Sequence, residues 1–138
     1  MCLALYLFTD ARIEEVGYDE ARPAFWVRRI LESDQPVKKW VSDKADIYYM
    51  GSSTGCGCGW APLYESDEKS EIADKARDRE RLCQLLESGD FTGSHLIACW
   101  EGDQGRELER QETLHIADIR DPHFVFEECV DYLIEGDP

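Results

Sequence analysis

The residues best suited to chemistry fall in one short stretch, Gly51-Ser52-Ser53-Thr54-Gly55-Cys56-Gly57-Cys58-Gly59, where no side chain is larger than threonine. A Cys-x-Cys pair can present two thiolates to one soft metal ion, and zinc or an iron–sulfur cluster would then need further ligands. Cys2 is the most attractive third sulfur, because the start of a central strand can lie beside a loop that leaves a neighbouring strand. The same pair suits redox chemistry, since a glycine between two cysteines lets a small, reducible ring close. A third reading uses the backbone: N–H groups of Gly51, Ser52, Ser53, Gly55, Gly57 and Gly59 cradle a ligand, with Trp60 walling the pocket. The plain alternative is a sharp connection whose glycines permit positive φ and whose cysteines are small buried side chains. The residues alone leave these four readings open, and they name neither a catalytic residue nor a cofactor.

Elsewhere the chain offers less. Cys83, Cys99, Cys129, His95, His115 and His123 show no metal-ligand spacing. Acidic pairs such as Glu14-Glu15 and Glu127-Glu128 are expected by chance among thirty acids and read as solvated faces.

Thirty Asp and Glu against fifteen Lys and Arg give a net charge of −15. Such a surface repels phosphates and gains nothing from counterion release, which argues against nucleic acid and anionic membranes as partners. It favours cations or a basic protein partner. Two function classes follow: a small-molecule or metal-binding protein centred on residues 51–60, or an acidic immunity- or inhibitor-type module that neutralises a basic protein. No segment approaches the ~20 apolar residues that span a bilayer. The opening MCLALYLFTDARIEE lacks the basic n-region of a signal peptide, which predicts a cytoplasmic protein with reduced thiols.

The elements that must position the loop can be read from periodicity. Residues 3–8 (LALYLF) are apolar at both parities and predict a strand covered on both faces. AFWVRRIL at 24–31 fits both periods, with its aromatic and β-branched content favouring a strand. Pro36 to Val41 reads as a short helix with Pro36 in its first turn. DIYYM at 46–50 is strand-like and runs directly into the glycine-rich stretch. Residues 67–88 predict a long helix capped by Ser66, with Ile72, Ala76, Leu82, Cys83 and Leu86 as its apolar stripe and Arg79 as an interruption. HLIACW (95–100) and ETLHIADI (112–119), around a loop carrying two glycines, predict a hairpin. Residues 123–135 fit both periods and lean towards a strand. The sum is one domain over 1–138, α+β, with a mostly antiparallel sheet of about five or six strands, one long helix and a short one.

The opening Met1-Cys2-Leu3-Ala4-Leu5-Tyr6, the block Ile47-Tyr48-Tyr49-Met50-Gly51-Ser52 and the following Gly55-Cys56-Gly57-Cys58-Gly59 resemble a group of small bacterial cytosolic proteins. In that group an early cysteine precedes the first strand and a tyrosine-rich strand leads into a glycine–cysteine loop. The resemblance covers about the first half of the chain. It implies a bacterial, cytosolic origin and assigns no activity.

Overall fold

The structure, a computed structural model, describes residues 2–136. Its frame is a six-stranded mixed sheet: β1 (Leu3–Thr9), β2 (Trp26–Arg29), β3 (Asp46–Gly51), β4 (His95–Trp100), β5 (Arg110–His115) and β6 (Val130–Glu135). The strand order is β2-β3-β1-β4-β6-β5, and every pairing is antiparallel except β5 with β6. One long helix, α1 (Lys69–Glu87), and three 3₁₀ segments, Glu32–Lys39, Cys58–Trp60 and Ile116–Arg120, complete the α+β fold.

All seven residues of β1 are buried, as apolarity at both parities requires. Leu3, Leu5 and Leu7 face the core beneath α1, together with Tyr48, Met50, Leu82 and Leu86. Ala4, Tyr6 and Phe8 face the opposite core, which holds Trp26, Val37, Tyr49 and Ile97. The segment Glu32–Lys39 covers this second face, and Pro36 stands inside it as 3₁₀ helix, not in the first turn of a helix that continues to Val41. Asp34 anchors it by accepting the Tyr6 hydroxyl at 2.6 Å and pairing with Arg28 at 3.1 Å.

The expected hairpin does not form. Gly102 and Gly105 do turn the chain with positive φ, but β6 lies between β4 and β5 and pairs with both. Hairpin signals specify the turn and not which strand fills the neighbouring position. Residues 116–120 leave β5 as 3₁₀ helix and pack on α1, where Arg120 reaches Glu80 at 2.7 Å and Glu87 at 2.5 Å. Residues 123–135 become a strand from Val130 onward.

Helix α1 begins at Lys69 after Glu68, not at a Ser66 cap. Its C-terminal half buries Leu82, Cys83 and Leu86 as the periodicity predicts. The N-terminal half buries Lys75, Asp78 and Arg79 in place of the expected Ile72 and Ala76, and Ile72 is exposed. Lys75 and Asp78 turn inward there towards the segment after β3, through Pro62 and Ser53, while Arg79 reaches the Ile119 carbonyl.

Candidate metal centre

The loop from Gly51 to Ala61 leaves the end of β3, adjacent to the start of β1. Two turns close it. Ser52 N–H donates to the Cys56 carbonyl at 2.7 Å and Gly55 N–H to the Ser52 carbonyl at 3.1 Å, with Gly55 at φ +87°. The Ser52 hydroxyl braces the interior, accepting from Gly59 N–H at 3.0 Å and donating to the Cys56 carbonyl at 2.8 Å. From α1, the Asp78 carboxylate accepts the Ser53 hydroxyl at 2.8 Å and the Ser53 N–H at 3.1 Å. Trp26 and Tyr18 hold the outer side through the Ser52 and Ser53 carbonyls.

Gly57 sets the approach of this loop to the sheet. A Cβ there would stand 1.6 Å from the Leu3 carbonyl oxygen, so only glycine lets the loop backbone lie against β1. Among the loop glycines, positive φ is confined to Gly55. Gly51 lies against the Trp26 indole and Gly59 against Ser52 and Asp78, so their glycines serve close contact and not turn geometry.

The consequence is a triangle of sulfur. Cys58 Sγ lies 2.8 Å from Cys2 Sγ and 3.0 Å from Cys56 Sγ, and Cys56 Sγ lies 3.5 Å from Cys2 Sγ. All three cysteines are free and half-buried. The Glu101 N–H donates to the Cys2 carbonyl at 2.8 Å, which keeps Cys2 in the sheet ladder. A tetrahedral zinc with bonds of about 2.3 Å holds two thiolates about 3.8 Å apart, so small rotations of these side chains would admit one ion. The sulfurs are too close together to straddle an iron–sulfur cluster and fit a single ion instead.

The thiols are electrostatically unequal. Burial pushes Cys56 up, but its hydrogen bonds with Cys58, Thr54 and Cys2 outweigh it and hold Cys56 below the ordinary cysteine range. Burial pushes Cys58 well above that range, and its hydrogen bonds with Cys2 and Cys56 add to the rise. Of the two loop thiols, Cys56 is therefore the more readily ionised.

Several expected site residues lie elsewhere. Trp60 does not line the cavity beside Cys58: it is fully buried, its ring packs on Phe25 and Phe126, and its Nε1–H donates to the Met50 carbonyl at 2.9 Å. Of the expected backbone cradle, only Ser53 and Gly59 line the cavity of about 220 Å³ beside Cys58, with Thr54, Tyr64 and Asp78. Burial raises the Asp78 carboxyl, opposed by the Ser53 hydrogen bonds. Asp78 is the site residue that sequence reasoning missed; a lone aspartate on the inward face of a helix, level with a polar loop, was its signal.

Cys83, Cys99 and Cys129 are buried away from the triangle, and burial raises all three thiols, Cys83 to about 11. His95 pairs with Asp131 at 2.7 Å, at the end of β1 opposite Cys2. Among the described residues, Cys2, Cys56 and Cys58 are the one group of His, Cys, Asp and Glu side chains drawn close enough to share an ion. Comparison with family models, curated proteins and solved structures gives no match, so the site is read from its own geometry. No helix among the described residues is long and apolar enough to cross a membrane.

Proposed function

We propose that this protein binds one soft metal ion through Cys2, Cys56 and Cys58. The observation that supports this is the triangle itself: three sulfurs from two separate parts of the chain, none more than 3.5 Å from the next. Thiolates select zinc and monovalent copper over hard cations. A three-thiolate site leaves one position of a tetrahedral ion open, or satisfies a trigonal one. The Thr54 hydroxyl, 3.4 Å from Cys56 Sγ, is the nearest oxygen donor that hydrogen-bonds to the triangle. Thiolates must lose protons to bind, so loading releases protons and weakens as pH falls. The reading fits a reducing cytosolic setting, in keeping with the resemblance to small bacterial cytosolic proteins. An inhibitor-type role for the acidic surface rests on charge alone, and the sulfur geometry adds nothing to it.

The test is titration of reduced, metal-free protein with cadmium, followed by thiolate charge-transfer absorbance and elemental analysis. One ion per chain is expected. Substituting Cys2, Cys56 or Cys58 by serine should weaken binding by more than the ~10–100-fold that follows disturbance of a ligand's support. Cys99→Ser should leave it unchanged. Failure of the reduced wild type to take up metal, or uptake that survives all three substitutions, would overturn the proposal.

A further inference from the structure

We infer that the outer edge of β5 is a docking site for a basic, extended segment of a partner protein, which adds to the sheet as one more strand. β4 and β6 separate this edge from β1 and the sulfur triangle, so peptide docking and metal binding are independent.

β5 is the last strand of the sheet, and the ladder shows which of its backbone groups are free. Ile134 N–H donates to the Ser94 carbonyl on the β4 side, so Asp131 and Leu133, of the opposite parity, bond towards β5. In a parallel pairing each residue bonds to the two neighbours of its register partner. Asp131 stands opposite Gln111 and Leu133 opposite Thr113, so the ladder uses Arg110, Glu112 and Leu114. Gln111 and Thr113 therefore turn their N–H and C=O groups outward, where the sheet has no further strand among the described residues. His115, next in that parity, points the same way: its N–H leaves the sheet for the Asp118 carboxylate at 3.3 Å. Glu109 N–H, ahead of the strand, reaches the Cys129 carbonyl because Cys129, at φ +59°, breaks the alternation.

The surroundings of this edge select the occupant. A groove of about 350 Å³ lies between β5 and residues 121–127, with half-buried Phe124 and exposed Val125 among its walls. Glu112, Asp118, Asp121 and Glu127 line it, and among the described residues no lysine or arginine does. Arg110, just outside, is already shared between Glu112 and Glu127. Proteins commonly guard a free edge with charge. Here the charge is mostly of one sign. A second copy would bring carboxylates against carboxylates, whereas a strand bearing lysine or arginine would compensate them. Added strands draw affinity from main-chain hydrogen bonds and specificity from alternate side chains. One face of the segment would set basic and apolar residues over the groove. The other would remain in water beside Gln111 and Thr113, both exposed.

The experiment uses the full chain and a fluorescein-labelled synthetic peptide of alternating lysine and valine, about the length of β5. A version with proline for valine keeps the charge but cannot pair as a strand. A version with glutamate for lysine keeps the strand but reverses the charge. Fluorescence anisotropy should show the first peptide binding about tenfold or more tighter than either control, the worth of one or two main-chain hydrogen bonds. Amide exchange followed by nuclear magnetic resonance should slow at Gln111 and Thr113 on binding, and not along β2 at the opposite edge. Thr113→Pro removes an outward N–H without breaking the ladder to β6 and should weaken binding about tenfold. Thr113→Ala keeps that N–H and should change binding by no more than about twofold. If Thr113→Pro fails to fold, the exchange result on the wild type decides. Equal binding of the valine and proline peptides would mean charge attraction alone and would overturn the assignment. So would unchanged exchange at Gln111 and Thr113, or their protection without peptide in a dimer seen by sedimentation, which would give the edge to a second copy.

Discussion

Gly57→Ala tests whether close backbone approach, and not the cysteine spacing, builds the sulfur triangle. The new methyl would meet the Leu3 carbonyl oxygen at 1.6 Å, where ordinary van der Waals contact begins at 3.4 Å. Neither partner is a flexible side-chain end: one is the backbone of a buried central strand and the other a loop tied down by Ser52, Asp78 and Trp26. The loop must therefore retreat by about the shortfall, on the order of 2 Å. Cys58 then moves from 2.8 Å to well beyond the ~3.8 Å at which two thiolates share a zinc ion. Overpacking of this kind costs about 1–3 kcal/mol. For a chain of 138 residues that is a fall of roughly 3–10 °C in the thermal midpoint. Cadmium affinity should fall by about 10–100-fold, the loss typical when a ligand's support is disturbed. Gly55→Ala is the control. It introduces strain at φ +87°, but its methyl meets only the Tyr18 ring at 3.2 Å and no part of β1. It should lower stability by about 1–2 kcal/mol and spare metal affinity. Wild-type cadmium affinity in Gly57→Ala, measured on protein shown to be folded by circular dichroism, would refute the reasoning.

Three further outcomes are expected. Asp78→Ala leaves the Ser53 N–H and hydroxyl without their acceptor and should cost about 1–3 kcal/mol in urea unfolding, with weaker cadmium binding. In metal-free protein, iodoacetamide should modify Cys56 first, and its rate should persist to lower pH than for an ordinary cysteine, because the anion is favoured; Cys58, held in its protonated form, should react only at higher pH. Peptide mapping across a pH series checks this, and equal reaction at the two would contradict it. Trp60→Ala empties a fully buried site and removes the hydrogen bond to Met50, so a loss of about 3–5 kcal/mol is expected in the same unfolding assay.

The sequence pattern reveals most where a segment's own periodicity decides its surroundings. β1 reads correctly because burial on both faces leaves no polar parity, and the C-terminal half of α1 because Leu82, Cys83 and Leu86 share one face. Two things hide the rest. Strand order is a long-range choice, and nothing local to 95–119 says that residues 130–135 will slot between β4 and β5. The inward face of α1 near the loop is polar, so a hydropathy stripe points to Ile72 and Ala76 while Lys75, Asp78 and Arg79 do the packing. Lys75 is satisfied by Asp67 at 2.8 Å and the Pro62 carbonyl at 2.9 Å, and Asp78 by Ser53, partners that a periodicity argument does not contain. The sequence shows the two loop cysteines and suggests Cys2 as their neighbour. It does not show that Gly57 is the residue permitting the contact, because a glycine needed for approach and one needed for φ look the same in a string of letters.

The charge of the chain bears on which chemistry the sulfurs can serve. A surface at −15, with Asp67, Glu71, Asp74 and Asp78 lining the cavity at Cys58 against the one cation Lys75, attracts cations and repels anionic reagents. Metal delivery should therefore be faster at low salt, since exposed charges are screened over about 10 Å at 0.1 M. Iodoacetamide is neutral and feels none of this field. The rate of cadmium loading should thus fall with added sodium perchlorate, whose anion does not complex cadmium, while iodoacetamide alkylation of Cys56 stays constant, which stopped-flow absorbance and quenched thiol mapping can measure on one preparation. Equal salt dependence of the two rates would mean that the acidic surroundings play no part in bringing a cation to the triangle.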